Sequence, residues 1–248
     1  VPPPLGQLAA VGRLDDDALT RDERGSRRDV LYGLLRREQA IAASGGPSPR
    51  PEVSRILDFA QAAYGDVVGV LVGRADGLLD TARDGEWTLR DVLRHAIAVE
   101  LRYAAQVEYS TTRLDTAPVQ IPPDLLPCDR LSPPETEFGA SRSGGALELL
   151  ELLGNARAIS DARCAKVPDS ALTRPSMWGT RLLDVRMRLH QIAVHLTETA
   201  IQIEKIVGGG GELRAIIRRC CITRGMHERW SPAGERAALD DSYTASSR

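Results

Sequence analysis

Imidazole binds metals and moves protons near neutral pH, so the four histidines of this 248-residue chain (His95, His190, His195 and His227) are where its chemistry is sought first. Two of them share the stretch RLHQIAVHLTETAIQIEK, residues 188–205, and stand five residues apart. Five residues turn an α-helix by about 500°, which sends His190 and His195 about 140° away from each other. Side chains that share one ligand on a helix sit three or four apart. His190 is therefore separated from His195. His95 lies in GEWTLRDVLRHAIAVELRYAAQVEY, at the edge of an apolar stripe and beside Val92, Ala98 and Val99. His195 has a similar edge position beside Ile192, Thr199 and Ile206. Facing edge histidines can meet inside a bundle and share a metal. The alternative is a pair of partly buried, hydrogen-bonded core histidines.

Glu100 falls inside the stripe Leu89, Val92, Leu93, Ala96, Glu100, Tyr103, Val107. A lone buried carboxylate is costly, so it must find a cation, a metal or a wet bundle end. Arginine is abundant, which favours pairing with one such as Arg186 or Arg188. Glu198, three residues after His195, is a further candidate ligand or outer acceptor, but its direction, about 170° from the stripe, favours solvent. His227, in RGMHERW, is expected to be structural. Cys128, Cys164, Cys220 and Cys221 match neither a zinc spacing nor a secreted disulfide framework. Arg214, Arg218, Arg219 and Arg224 form a basic strip suited to an anionic thiol cofactor, or equally to a solvated face.

Six segments carry helical periodicity, and no convincing alternating strand is found. The first is 26–43, with a Ser-x-x-Asp cap at Ser26 and Asp29. The second runs from about 51 to 79, with Gly65, Gly69, Gly73 and Gly77 opposite its apolar stripe. Each glycine inside a helix costs about 0.8–1 kcal/mol relative to alanine. Either another element, such as the 26–43 helix, approaches closely there, or the helix breaks near Gly65 or Gly77. The third opens on a Thr88–Asp91 capping box. A proline-rich connection, 110–145, follows, long enough to act as a lid or a crossover. The fourth spans about 146–166. VPDSALTRPSMWGT is an irregular link that, with Trp178, could roof a pocket. The fifth spans about 182–207 and the sixth 212–230. The expected organisation is an N-terminal extension with one helix (1–50), a four-helix bundle (51–207), an accessory helix (208–230) and a mobile tail (231–248).

A formal net charge of -2 gives no reason to expect nucleic acid, and no apolar run reaches membrane length. The first residues, VPPPLGQLAAVGRLDDD, lack a basic segment followed by an apolar one, so they do not read as a signal peptide. Scattered cysteines suit a reducing cytoplasm.

GLLDTARDGEWTLRDVLRHAIAVE and HLTETAIQIEKI together resemble the DinB/YfiT-like family. The first carries an acidic turn, a Gly-Glu-Trp-Thr start and a histidine eight residues beyond the tryptophan. The second matches the last bundle helix, where the family usually has two histidines four apart before Gln-Ile. The resemblance covers residues 51–207 and implies an all-α, up-down-down-up four-helix bundle, with extra helices at both ends. It also implies a divalent metal, zinc or nickel, held by three histidines. By position His95 and His195 take two of those places, and Thr199 stands at the third. A neutral hydroxyl is a weak donor beside imidazole, so the site is expected to be weak or incomplete. The implied activity is thiol-dependent S-transfer, of the mycothiol or bacillithiol type, to an electrophilic small molecule. The alternatives are a bundle with a degenerate site serving as a binding or structural module, and a metal-assisted hydrolase. Homodimers are common in the family.

Overall fold

The computed structural model describes residues 5–14, 16–19, 27–82, 85 and 87–246. The cap expected at Ser26 lies outside them. Among the described residues the helices are α1 (Leu5–Gly12), α2 (Arg27–Ala43), α3 (Glu52–Leu71), α4 (Leu89–Thr112), a short α5 (Glu135–Phe138), α6 (Ala146–Cys164), α7 (Val185–Val207), α8 (Glu212–His227) and α9 (Ala233–Ser246). A two-stranded antiparallel hairpin, β1 (Pro175–Trp178) and β2 (Arg181–Asp184), occupies part of the expected irregular link and takes the first residues expected of the fifth helix. The fold class is all-α as expected, and the hairpin is a small addition.

Side-chain contacts fix the helix directions. The starts of α3 and α7 meet through Arg186 and Glu52, with Nε 2.6 Å from Oε1, and their ends through Arg74 and the Gly208 carbonyl, so they run parallel. Helices α4 and α6 also run parallel, because Arg90 reaches the Gly144 carbonyl at their starts and Arg157 meets Glu100 midway. Tyr64 of α3 donates to Leu150 near the start of α6, while Asp169 beyond the end of α6 accepts from Val53 at the start of α3; these two are antiparallel. The order is up-down-down-up. The core is the joined apolar faces of α3, α4, α6 and α7, with Leu57, Val67, Leu93, Ile97, Leu149, Leu153, Leu189 and Leu196 each at most 3% exposed.

The second helix ends at Leu71 rather than 79, where Gly73 turns the chain with φ 75°. It runs unbroken through Gly65 and Gly69. The neighbour lying against those glycines is α8, not the 26–43 helix: a Cβ at Gly65 would meet the Cys221 carbonyl oxygen at 2.2 Å. The tail expected to be mobile is helical over Ala233–Ser246 and buries Leu239 and Tyr243. Helix α2 packs on α8 and α9 as an outer layer. Buried Glu38 pins that layer, accepting from Tyr243 at 3.0 Å and lying 2.5 Å from His227 Nε2 and 3.5 Å from Arg224.

Candidate metal centre

Helices α4 and α7 run antiparallel, and this brings residues of the same face together two turns at a time. The Thr88 hydroxyl accepts the Asp91 amide and caps α4, and Asp184 accepts the Met187 amide and caps α7. With both starts fixed, His95 and His195 face each other, with Nε2 to Nε2 3.1 Å and ring centroids 5.0 Å apart. Trp87 stands edge-on to His95 and Tyr103 edge-on to His195.

The connection after α4 decides the tautomer of His95. Its residues lie along the helix: Cys128 O accepts from Arg102 at 2.5 Å, and Arg130 O lies 2.8 Å from His95 Nδ1. A carbonyl only accepts, so Nδ1 carries the proton and Nε2 keeps its lone pair. This is the outer-sphere arrangement that orients metal-ligating histidines. Without a metal, His195 Nε2–H donates into that lone pair.

Burial, reinforced by the neighbouring His95, lowers the pKa of His195 to about 4. Its unfolded value is about 6.5, so the unfolded chain binds a proton in a window where the folded one does not. Stability from this group is complete above about pH 6.5 and lost as pH falls towards about 4. Chelator-treated protein is expected to lose up to about 3 kcal/mol in urea titrations across that window. A His195→Phe variant is expected to show the flatter profile.

Tetrahedral zinc with nitrogen ligands at about 2.0–2.1 Å holds them roughly 3.4 Å apart. The pair is near that spacing, and both nitrogens are available when His195 carries its proton on Nδ1. The other candidates do not join. Thr199 is buried, and its hydroxyl donates to the His195 carbonyl at 2.9 Å. Glu100 does not reach the histidines, nor does it pair with Arg186 or Arg188. Its Oε2 accepts from Arg157 of α6 at 2.8 Å, and both residues are buried. Arg186 serves Glu52 instead. Glu198 is exposed, as expected. Among the described residues no group of three His, Cys, Asp or Glu side chains could hold a metal. The residues therefore fit two protein ligands, with the remaining positions left to water or substrate.

His190 turns away, as its spacing predicts, and meets Phe59 with ring centroids 6.4 Å apart. The expected basic strip is divided. Arg224 points inward to Glu38, while Arg214, Arg218 and Arg219 line a cavity of about 380 Å³ with Arg74, Asp66 and Glu204. Glu204 follows His195 by nine residues, about 13 Å along the helix, so that cavity is separate from the histidine pair. Ser231, His227 and Glu38 stand in nucleophile–imidazole–carboxylate order, with Ser231 Oγ 3.1 Å from His227 Nδ1. They are 4%, 0% and 0% exposed, and their evident role is to tie α2 and α8 together.

Tyr103 and the Arg130 carbonyl are site groups that the sequence pattern does not single out. Tyr103 follows His95 by eight residues, a spacing that keeps it within the same stripe. Nothing local in the sequence marks the Arg130 carbonyl, because its role depends on how the connection folds back.

No family model and no curated protein matches the chain. Among solved structures it is similar to one described as "YfiT from Bacillus subtilis is a probable metal-dependent hydrolase with an unusual four-helix bundle topology". The two share 16% identity over 66% of this chain and 94% of that one, with a TM-score of 0.47. No helix among the described residues is long and apolar enough to cross a membrane.

Proposed function

We propose that His95 and His195 hold a divalent metal ion, zinc or nickel, and that the chain uses it to act on a small molecule, with a low-molecular-weight thiol as co-substrate. The observation that carries this reading is the 3.1 Å approach of two Nε2 atoms, one with its lone pair fixed by the Arg130 carbonyl. A divalent ion there would lower the pKa of a bound thiol or water and supply a nucleophile at neutral pH. The chain's own groups prepare that chemistry. His195 stays neutral well below pH 7 because it is buried, so protons compete poorly for its nitrogen. His95 is held in one tautomer and shielded by Trp87 and the connection around Arg130.

A second reading keeps the bundle but removes catalysis, leaving the two histidines bonded to each other in a binding or structural module. The commitment of the Thr199 hydroxyl to a backbone carbonyl favours it, since that is the position of the missing third ligand. Hydrolysis by the same centre requires water alone and is separated from thiol transfer by whether turnover depends on added thiol.

Metal content of protein purified without added metal decides between the first two readings. Substoichiometric divalent metal is expected in the native chain, with none in the His95→Ala, His195→Ala double variant. Equal metal in the two proteins would overturn the site.

A further inference from the structure

Arg188 is 0% exposed, and it has no carboxylate partner among the described residues. Its Nη1 donates to Gln191 Oε1, and its guanidinium lies over the Tyr103 ring, 4.5 Å from the centroid. Its Nε and Nη2 are buried and make no hydrogen bond. These two nitrogens form one edge of the guanidinium, the edge that grips carboxylates elsewhere in this molecule. Arg90 holds Asp80 with Nε at 2.7 Å and Nη2 at 3.1 Å. Arg186 holds Glu52 in the same manner, at 2.6 and 3.3 Å. In Arg188 that fork is unpaired.

A buried cation is expensive unless paired, and stacking on a tyrosine offsets only part of the loss. Burial without an anion accordingly pushes the pKa of Arg188 down. Its position explains why such a group would be kept. Arg188 precedes His195 by seven residues, two turns on the same face. The Tyr103 ring neighbours both, 5.9 Å from the His195 centroid and 4.5 Å from the guanidinium carbon, which places the two groups at most about 10 Å apart.

We infer that Arg188 binds a carboxylate of the substrate handled at the His95–His195 centre, gripping it through the unpaired Nε–Nη2 edge. The inference rests on the reading of that pair as the reactive centre, and it sets the substrate class: a small organic acid whose carboxylate and reacting group are separated by several bonds. Planar carboxylate suits a two-nitrogen fork better than tetrahedral phosphate does a single edge in so confined a place. Trp178 of β1 lies beside Tyr103, so the hairpin borders the same region.

The test is thermal unfolding of the full chain at constant ionic strength with benzoate, acetate or inorganic phosphate, in chelator-treated and metal-loaded protein. A saturable rise in midpoint with benzoate is expected for the native chain. It should be absent in Arg188→Met and at least about tenfold weaker in Arg188→Lys, which lacks the fork. Without ligand, Arg188→Met should lose only the Gln191 hydrogen bond and the Tyr103 stacking, because no ion pair is broken, so both variants are compared by their benzoate-induced shift from their own ligand-free midpoint. A benzoate response unchanged in Arg188→Met, no response in the native chain, or a stronger response to phosphate would each overturn the inference. Failure of the two readings is distinguishable. A benzoate response that depends on Arg188, in a chain that binds no metal, removes the metal and keeps the carboxylate site. Metal bound equally by the native chain and Arg188→Met, with no benzoate response, does the reverse.

Discussion

Replacing Glu100 with alanine is expected to cost about 3–5 kcal/mol of folding stability, among the largest effects of any single substitution in the bundle. Arg157 donates to Glu100 Oε2 at 2.8 Å, to Ser160 Oγ at 3.2 Å and to Asp161 at 3.1 Å. Glu100 and Arg157 are 2% and 1% exposed, so water cannot replace a lost partner. Burial pushes the Glu100 carboxyl up, and the Arg157 charge opposes that shift. Removing the carboxylate leaves a buried guanidinium with only the half-exposed Asp161 as counter-ion, which Arg229 already shares at 2.9 Å. The cost is therefore that of the orphaned charge rather than of one hydrogen bond. Replacing both members by apolar residues of similar volume, Glu100→Met with Arg157→Leu, is expected to recover most of it. Urea unfolding of the two single variants and the double variant measures this, and strict additivity would show that the pair is not coupled.

Gly65→Ala is the second large effect, with an expected loss of about 1–3 kcal/mol or more. The new methyl would sit 2.2 Å from the Cys221 carbonyl oxygen and 2.7 Å from its carbon, both backbone atoms of α8. A side chain could rotate away, whereas a helix backbone must move as a unit. Gly69 faces the Arg218 Cα at 2.5 Å, and Gly225 of α8 faces Gln61 and Ala62 in return, so the contact extends over several turns. Helix α8 is thus held to the bundle by shape, and the ion pair of Arg218 with Asp66, Nε to Oδ1 2.5 Å, closes its edge. Gly77→Ala is the control, because a Cβ there meets nothing within 4 Å. It should leave stability unchanged or raise it by about 0.4–1 kcal/mol through the unfolded chain. Equal losses at Gly65 and Gly77 in urea unfolding would mean that glycine flexibility, not close packing, explains the pattern.

Both cases show where pattern reading stops. The position of Glu100 in an apolar stripe announces that it needs a partner, but the helical period cannot say which of thirty-two basic residues supplies it. Arg157 was hidden because α6 shows almost no one-sided apolar pattern, so its sequence does not say which way an arginine at its centre points. The glycine spacing announces a close neighbour, yet the neighbour is α8, far along the chain, rather than the helix adjacent in sequence. Choosing among distant elements is a matter of tertiary packing, to which local periodicity is blind.

By itself the sequence determined the all-α class, the four bundle helices to within a few residues at most ends, the Thr88 cap, the separation of His190 from His195, and the candidacy of His95 with His195. These follow from rules that act within one or two turns: the 100° step per residue, the capping of free amides, and the cost of polar groups on an apolar face. Tertiary structure alone decided that the two Nε2 atoms stand 3.1 Å apart, that the Arg130 carbonyl fixes one of them, and that Arg188 lies buried with its fork unpaired. Those outcomes depend on how antiparallel helices register against each other and on where a long connection comes to rest. Both are set by the packing of the whole core, and no stretch of sequence encodes them alone.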